Sequence, residues 1–251
     1  KNEQGIDLIY FGTNTGKLFI YDLNGNLIDI KTGPDGSIKY ISTFENYYSF
    51  ISINYLLVID KISEIAEVNF VDNNGNKNTF IKNFLQLAST KNSNGDIISI
   101  LLFAQNNFVI ISNGNIVNQF TIDIPEQIEN FSLADLNNDG ENYLVFNTGN
   151  YIYAYNISGT LKDNFPFKDP SNIGFTGIPI TADFDGDTKS EIISTTKDGR
   201  IFAVDGGSGK LINAFPISIG DSISTIPIYF NDNGKISFAI LNSSNELMAY
   251  N

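Results

Sequence analysis

The sequence predicts an all-β protein built from repeated four-stranded units, and three observations lead to this fold class. Residues 134–166 and 182–216 share one pattern at an offset of 48 positions: an acidic loop, an apolar strand, a polar turn, an alternating strand, a Ser-Gly turn and a Phe-Pro pair. Short apolar strands followed by turns recur along the chain, and continuous helical periodicity is nearly absent. A repeat of about 40–50 residues with several short strands is typical of a β-propeller blade.

The recurring strands can be placed in order along the chain. They are KLFIYD (17–22), YLLVID (55–60), NFVIIS (107–112), YIYAY (151–155), RIFAVD (200–205) and ELMAY (246–250). Asn-Gly or Ser-Gly turns follow most of them, and these residues supply the positive φ values that tight hairpins need. One segment, residues 61–68 (KISEIAEV), has a helical alternative, but it is too short to favour a helix over an irregular strand.

We therefore predict one β-propeller domain over residues 1–251, with six four-stranded blades and seven as the alternative. The predicted blades are 5–36, 37–83, 84–127, 128–177, 178–225 and 226–251. The matching segments 178–180 and 226–228, both Ile-Pro-Ile, are predicted to open the innermost strands of their blades. Aligning Lys17–Asp22 with Arg200–Asp205 makes the chain enter a blade at its second strand. We expect incomplete terminal blades and a larger parent protein with other domains.

Composition limits the chemistry that this protein can perform. The chain has no His and no Cys, which excludes Ser-His-Asp triads, Cys nucleophiles and zinc sites made of His or Cys. Carboxylate chemistry remains open, so a glycoside hydrolase or lyase is an alternative function. The net charge of −13 disfavours unaided binding to nucleic acid or to an anionic membrane. No apolar run is long enough for a membrane span.

An acidic loop at residues 183–191 carries the most specific chemical pattern. Its residues at positions one, three, five, seven and nine are Asp183, Asp185, Asp187, Lys189 and Glu191. Calcium takes six to eight oxygen ligands, and alternate residues of a tight turn can direct carboxylates toward one point. Position seven would supply its backbone carbonyl, so a lysine is compatible with the site. Four carboxylates this close repel one another without a cation, and we predict a calcium site here.

A second acidic loop has the same spacing with fewer carboxylates. Its residues at positions one, three, five and seven are Asp135, Asn137, Asp139 and Glu141. Position nine is Tyr143, which is not a calcium ligand, so a water or Asn142 would complete the shell. Fewer anionic oxygens predict a lower calcium affinity. The sequence therefore predicts one or two calcium sites.

The run DFDGD at residues 183–187, followed by Glu191, resembles the calcium loop and following strand of FG-GAP and VCBS-type repeats. Such repeats build the propellers of integrin α chains and of many secreted bacterial proteins. The downstream half, residues 198–211, is similar to the quinoprotein (PQQ-type) repeat. The resemblance is good over 128–225, recognisable over 5–31 and poor over 37–127. It implies that each acidic loop joins the first two strands of a blade and that the metal is structural.

We expect a non-catalytic binding module that is extracellular, on a cell surface or periplasmic, and the resemblance implies a bacterial source. Its partner would be a protein or a glycan, and residues 44–48 (FENYY) and 168–175 (KDPSNIGF) are candidate contact segments. The structural interpretation of both segments, as blade edges and connecting turns, remains open. A glycan-processing enzyme would instead show a deep pocket with two carboxylates about 5–10 Å apart. A purely structural spacer in a large secreted protein would show no concave site.

Overall fold

The computed structural model describes residues 7–32, 38–44, 47–51, 55–60, 64–69, 83–113, 115–223, 227–232 and 235–250. Within these ranges the chain forms 22 strands in six antiparallel sheets, and each strand pairs with its neighbours in the sequence. The chain divides into two compact units, Lys1–Gln119 and Phe120–Asn251. No helix in the described ranges has the length and apolarity needed to cross a bilayer.

The first unit contains three sheets. The first sheet consists of β1 (Leu8–Gly12), β2 (Lys17–Asp22) and β3 (Leu27–Thr32). The second consists of β4 (Tyr40–Phe44), β5 (Tyr47–Ile51), β6 (Tyr55–Asp60) and β7 (Glu64–Asn69). The third consists of β8 (Phe84–Lys91), β9 (Ile97–Phe103), β10 (Asn107–Ser112) and β11 (Asn115–Thr121), whose last residues cross into the second unit.

The second unit also contains three sheets. The fourth sheet consists of β12 (Ser132–Asp135), β13 (Asn142–Thr148), β14 (Tyr151–Asn156) and β15 (Phe167–Lys168). The fifth consists of β16 (Phe175–Ala182), β17 (Glu191–Thr196), β18 (Arg200–Asp205) and β19 (Ile217–Ser218). The sixth consists of β20 (Ile228–Asp232), β21 (Lys235–Leu241) and β22 (Leu247–Tyr250).

These sheets confirm the predicted strands. All six apolar segments found in the sequence form strands, namely β2, β6, β10, β14, β18 and β22. The helical alternative at residues 61–68 is wrong where the structure describes it, because β7 is a strand. Six sheets correspond to the six predicted blades, and the first and last sheets have three strands each, as expected for incomplete terminal blades.

The fifth sheet corrects one predicted strand start. Residues 178–180 were expected to open a strand, but β16 begins at Phe175. Its pairing with β17 shifts between Thr176 and Ile180, so three residues of β16 lie opposite Ser194 alone. Pro179 has no N–H to donate to a ladder, so a bulge accommodates it within the strand. Of the matching residues 226–228, residue 226 lies outside the described ranges, and β20 begins at Ile228.

The first sheet has a partly apolar, exposed edge strand. Alternation places Leu18 and Ile20 of β2 in a buried cluster. On β3, by contrast, Leu27, Ile28 and Ile30 are 49%, 52% and 43% exposed. Strand β3 pairs only with β2 among the described strands, so its other edge has no strand partner there.

Consecutive sheets cover each other's apolar faces in the second unit. Phe175 of β16 and Phe202 of β18 are buried, with ring centroids 5.3 Å apart, and Phe167 of β15 lies 6.1 Å from Phe202. Val145 of β13 and Ile192 of β17 belong to the same buried cluster. This shared core fixes the fourth sheet against the fifth.

The segment between these two sheets is held by a buried carboxylate. Asp169 is fully buried and accepts hydrogen bonds from the amides of Ser171, Ile173 and Gly174 at 2.9, 2.9 and 3.3 Å. The Arg200 guanidinium lies 3.6 Å from the Asp169 carboxylate. These contacts fix the turn after β15 to strand β18, because Asp169 satisfies three backbone donors at once.

Replacing Asp169 tests this role. Asp169→Ala leaves three backbone amides and Arg200 without their buried acceptor, so we expect the free energy of unfolding to fall by about 3–5 kcal/mol. The matched control is Asp198→Ala, which removes a 42% exposed carboxylate from the same Arg200 and should cost about 1 kcal/mol or less. Urea denaturation followed by circular dichroism measures both. Equal losses for the two variants would contradict the structural role of Asp169.

Candidate metal centre

The acidic loop at residues 183–191 joins β16 to β17, the first two strands of its sheet, as predicted. Carboxylate oxygens of Asp183, Asp185 and Asp187 lie within 4.8 Å of one another. Asp183 is half-buried, and the other two are exposed. Among the described residues this is the one group of three or more acidic, His or Cys side chains gathered so closely. The spacing one-three-five therefore does direct three carboxylates to one point.

Backbone amides orient these three carboxylates. Asp183 accepts the amides of Gly186 and Thr188 at 2.7 and 3.0 Å. Asp185 accepts the amide of Asp187 at 3.1 Å, and Asp187 accepts that of Lys189 at 2.8 Å. Such turns hold the side chains inside the loop instead of leaving them to rotate in solvent. Gly186, with φ +82°, allows the tight bend that they require.

Glu191, at position nine, lies below the loop at the start of β17. It is fully buried, and its Oε2 accepts the Phe184 amide at 2.6 Å. Its Oε1 is buried and has no hydrogen-bond partner. Burial raises the pKa of Glu191 to about 7, and the charges of Asp185 and Asp183 add to the rise against opposing amide hydrogen bonds. The structure does not bring Glu191 into the close group of three aspartates, but the charges of Asp183 and Asp185 act on it. A cation in the loop would stabilise this buried carboxylate.

Lys189, at position seven, places its side chain outside this group. Its ammonium lies 3.9 Å from Asp187 Oδ2, and both side chains are about half exposed, at 46% and 41%. An exposed pair at this distance contributes little stability. The lysine charge therefore does not replace a cation at the centre of the loop.

The second acidic loop joins β12 to β13 and is satisfied by its own donors. Asp135 accepts the amides of Asn137, Asp139 and Gly140 at 3.3, 3.1 and 2.7 Å. The Asn137 side-chain amide donates to Asp139 Oδ2 at 3.2 Å. In the first loop an aspartate stands at this third position, so the amide of Asn137 supplies a donor where the first loop has another carboxylate.

Glu141 of the second loop is held by partners outside it. The Tyr143 hydroxyl donates to Glu141 Oε2 at 2.9 Å, and the Asn156 amide donates to Oε1 at 3.0 Å. Burial, with the neighbouring Glu141, raises the pKa of Tyr143 to about 12. The structure therefore brings Asp135, Asn137 and Asp139 together but joins Glu141 to Tyr143. The tyrosine at position nine binds the carboxylate at position seven.

A diglycine turn after β18 contacts both loops and was not singled out in the sequence. A Cβ on Gly206 would overlap the Ser190 carbonyl oxygen and lie 2.8 Å from a methyl group of Leu136. Leu136 belongs to the second loop, and Ser190 belongs to the first. The Gly-Gly pair was the sequence feature that could have predicted this contact, because glycine often occurs where two backbone segments approach closely.

The two candidate contact segments have different surroundings. Residues 168–175 form the turn that Asp169 organises, and Ile173 within it is 45% exposed. In residues 44–48, Phe44 ends β4 and packs against a buried cluster, and Tyr47 and Tyr48 belong to β5. Residues 45 and 46 lie outside the described ranges. The first segment is thus a rigid turn with an exposed apolar side chain.

A cavity of about 240 Å³ lies at the end of β13 that is opposite to the acidic loops. Residues 127–130, 147–149 and 175–177 contribute to its lining. Glu129 is the one carboxylate among the lining residues. A second carboxylate, that of Glu126, lies beside Gly149 of the lining. The cavity is a concave site of the kind that a purely structural spacer would lack.

Substitution of the diglycine turn tests how closely the two loops pack. Gly206→Ala should lower the free energy of unfolding by about 1–3 kcal/mol, because its Cβ meets backbone and a buried leucine. The neighbouring Gly207→Ala is the matched control, since its nearest atom is a flexible Lys189 methylene at 3.3 Å. The free energy of unfolding should fall clearly less in Gly207→Ala than in Gly206→Ala. Thermal unfolding of both variants measures this difference. Equal melting temperatures for the two variants would contradict the close approach of Gly206 to Ser190 and Leu136.

Comparison with known proteins identifies the fold and no family. No protein-family model matches the chain, and no curated protein matches it in sequence. Solved structures match over nearly its whole length. BBS1N in complex with ARL6DN matches 98% of this chain and 73% of its own, with a TM-score of 0.63 and 10% identity.

Two further structures give the same result. The WD40 β-propeller domain of Doa1 matches 97% of this chain and 74% of its own, with a TM-score of 0.60 and 12% identity. The computationally designed Ika8 protein matches 97% and 67%, with a TM-score of 0.62 and 13% identity. At such low identity the likeness concerns the fold alone. The chain has a β-propeller fold, and membership of the FG-GAP, VCBS or quinoprotein families stays a prediction.

Proposed function

We propose that this protein is a non-catalytic binding module in which a calcium ion stabilises the loop at residues 183–191. The observation that carries the calcium proposal is the buried Glu191 Oε1, which has no hydrogen-bond partner next to three clustered aspartates. Without a cation, four carboxylates would repel one another in this loop. A calcium ion would remove that repulsion and supply a partner for oxygen atoms that protein donors leave unsatisfied.

The donor set fits calcium better than other metals. Asp183, Asp185, Asp187 and Glu191 would hold the ion, and the backbone carbonyl of Lys189 is the predicted fifth group. Oxygen ligands alone suit a hard cation, whereas zinc favours His and Cys, which this chain lacks. The ion would contribute stability and loop rigidity rather than chemistry.

The second loop is a weaker proposal. Asp135, Asn137, Asp139 and Glu141 were predicted as ligands of a second calcium ion. The Asn137 side-chain amide donates to Asp139, and Tyr143 and Asn156 donate to the Glu141 side chain, so protein donors already neutralise part of the negative charge that would attract a cation. We therefore propose one calcium site, at residues 183–191. A second site at residues 135–141 would bind calcium with lower affinity.

The binding role is supported by the fold and by one rigid turn. BBS1N was solved in complex with ARL6DN, so a propeller of similar fold binds a protein. In this chain, Ile173 is 45% exposed on a turn that the buried Asp169 holds in place. An exposed apolar side chain on a fixed backbone loses little entropy when it is covered by a partner. We propose a protein partner at this turn, with a glycan as the alternative ligand class.

An extracellular, cell-surface or periplasmic location follows from the calcium proposal. A calcium loop as short as this one is expected to bind calcium weakly, in the roughly 0.1–1 mM range of extracellular modules. Such a site would be filled outside the cell, where calcium is abundant, and empty at cytosolic concentrations. The resemblance to FG-GAP and VCBS repeats favours the same location and a bacterial source.

Calcium titration tests the metal proposal. We expect calcium to raise the melting temperature of the chain by several degrees, and EDTA to reverse the rise. Asp187→Ala should abolish the response, because it removes one of the three clustered carboxylates. The matched control is Asp139→Ala, at position five of the second loop, which should keep it. Calorimetry gives the stoichiometry, expected to be close to one.

Two outcomes would contradict the proposal. One is the absence of calcium binding up to about 10 mM, beyond the range of extracellular modules. The other is an equal loss of response in Asp187→Ala and Asp139→Ala, which would indicate a non-specific effect of charge on a chain with net charge −13.

A capture experiment tests the binding surface. The immobilised chain is exposed to surface and secreted proteins of its source, and Ile173→Ser is compared with Ile116→Ser. Both isoleucines are exposed, at 45% and 52%, but Ile116 lies on β11 in a different part of the fold. We expect a partner that wild type and Ile116→Ser retain and Ile173→Ser loses. Equal retention by all three proteins would exclude the turn at residues 168–175 as the contact.

A further inference from the structure

The cavity at the end of β13 is built from three segments that are distant in sequence, and two of them are fixed to each other. The Phe175 amide donates to the Gly149 carbonyl at 2.9 Å, which joins the turn after β13 to the start of β16. The Asp169 amide likewise donates to the Asn150 carbonyl, at 2.8 Å. Because these bonds exist without any ligand, the walls of the cavity are preformed, which lowers the entropy cost of binding.

One polar side chain of the cavity lining, Asn147, is fixed by a serine opposite the bulge in β16. Ser194 on β17 faces the bulged residues rather than a regular strand partner, and it is buried. The Asn147 side-chain amide donates to Ser194 Oγ at 2.8 Å. This bond fixes the Asn147 side chain at the cavity wall, with its nitrogen turned toward Ser194. Its carbonyl oxygen is thereby given a defined orientation.

The lining chemistry selects for a neutral, hydroxyl-rich ligand. Side chains of Gln127, Asn130 and Asn147 bring amides, Thr148 and Thr176 bring hydroxyls, and Glu129 brings a carboxylate. No Lys or Arg is among the lining residues, so an anion would lack a counter-charge. One carboxylate is too few for a metal ion. Amides and hydroxyls both donate and accept, as sugar hydroxyls do.

The size of the cavity is consistent with a single sugar unit. Its volume of about 240 Å³ is below the roughly 300–1,000 Å³ of sites for drug-sized ligands. Phe175 is one of the lining residues, but it is only 5% exposed and its ring is fixed by Phe202, 5.3 Å away. Polar side chains therefore make up most of the surface that a ligand would meet.

We propose that this cavity binds the terminal monosaccharide of a glycan, with the Glu129 carboxylate and the Asn147 carbonyl oxygen accepting hydrogen bonds from its hydroxyls and the Asn130 amide donating or accepting. The proposal names a ligand class for a second site and does not depend on calcium or on the protein contact at Ile173. Its failure would leave both of those proposals intact, because the cavity lies at the opposite end of the strands from the acidic loops.

The test uses free neutral monosaccharides on the intact chain. Glucose, galactose, mannose, fucose and N-acetylglucosamine are screened by saturation-transfer NMR, with and without EDTA, and binders are measured by calorimetry. We expect at least one sugar with a Kd of about 10 mM or tighter. Glu129→Ala, an exposed position, and Asn130→Trp, which fills the cavity, should each weaken binding about tenfold or more. Asn213→Trp, exposed and outside the lining, is the control and should bind as wild type does.

Several results would overturn the proposal. One is no saturation transfer to any of the five sugars. Another is unchanged binding in Glu129→Ala, which does not depend on whether Asn130→Trp folds. A third is tighter binding of methylammonium than of every sugar, which would make the cavity a cation site. Circular dichroism melts of each variant confirm that it is folded.

Discussion

The packing of consecutive sheets against each other is the constraint on which the second unit depends. Each sheet has at most four short strands and two faces, so it cannot bury an apolar face alone. Phe167, Phe175 and Phe202 meet where the fourth sheet covers the fifth. Around this contact lie the buried Asp169, the diglycine turn between the acidic loops, and the cavity. All three use residues from both sheets, so each exists only because these sheets are held in register.

The two acidic loops show how one sequence spacing leads to two electrostatic solutions. In the first loop, three carboxylates converge and the buried Glu191 oxygen has no donor. In the second, Asn137, Tyr143 and Asn156 donate to the carboxylates, so protein hydrogen bonds perform the neutralising role. A carboxylate that accepts several protein donors needs no cation. The side chains of Asn137, Tyr143 and Asn156 account for the donors that the second loop has and the first lacks.

Much of the fold could be predicted from the sequence because its strands are local patterns. KLFIYD alternates as a half-buried strand does, RIFAVD is a short apolar run, and turn residues mark the ends of both. The positions of Asp183, Asp185 and Asp187 also follow from local spacing. The bulge at Pro179, the pairing of Glu141 with Asn156 and the cavity could not be predicted, because they depend on contacts between segments far apart in the chain. The start of β16 was misplaced for this reason, since Pro179 was taken as a strand opening.

Strand β3 carries a consequence for how this protein behaves in concentrated solution. Its edge has no strand partner among the described residues, and Leu27, Ile28 and Ile30 are exposed along it. Such an edge can template pairing with another molecule. The opposing force is long-range repulsion from a net charge of −13. Because added salt shortens the reach of that repulsion to about 8–10 Å at physiological strength, self-association should increase with ionic strength.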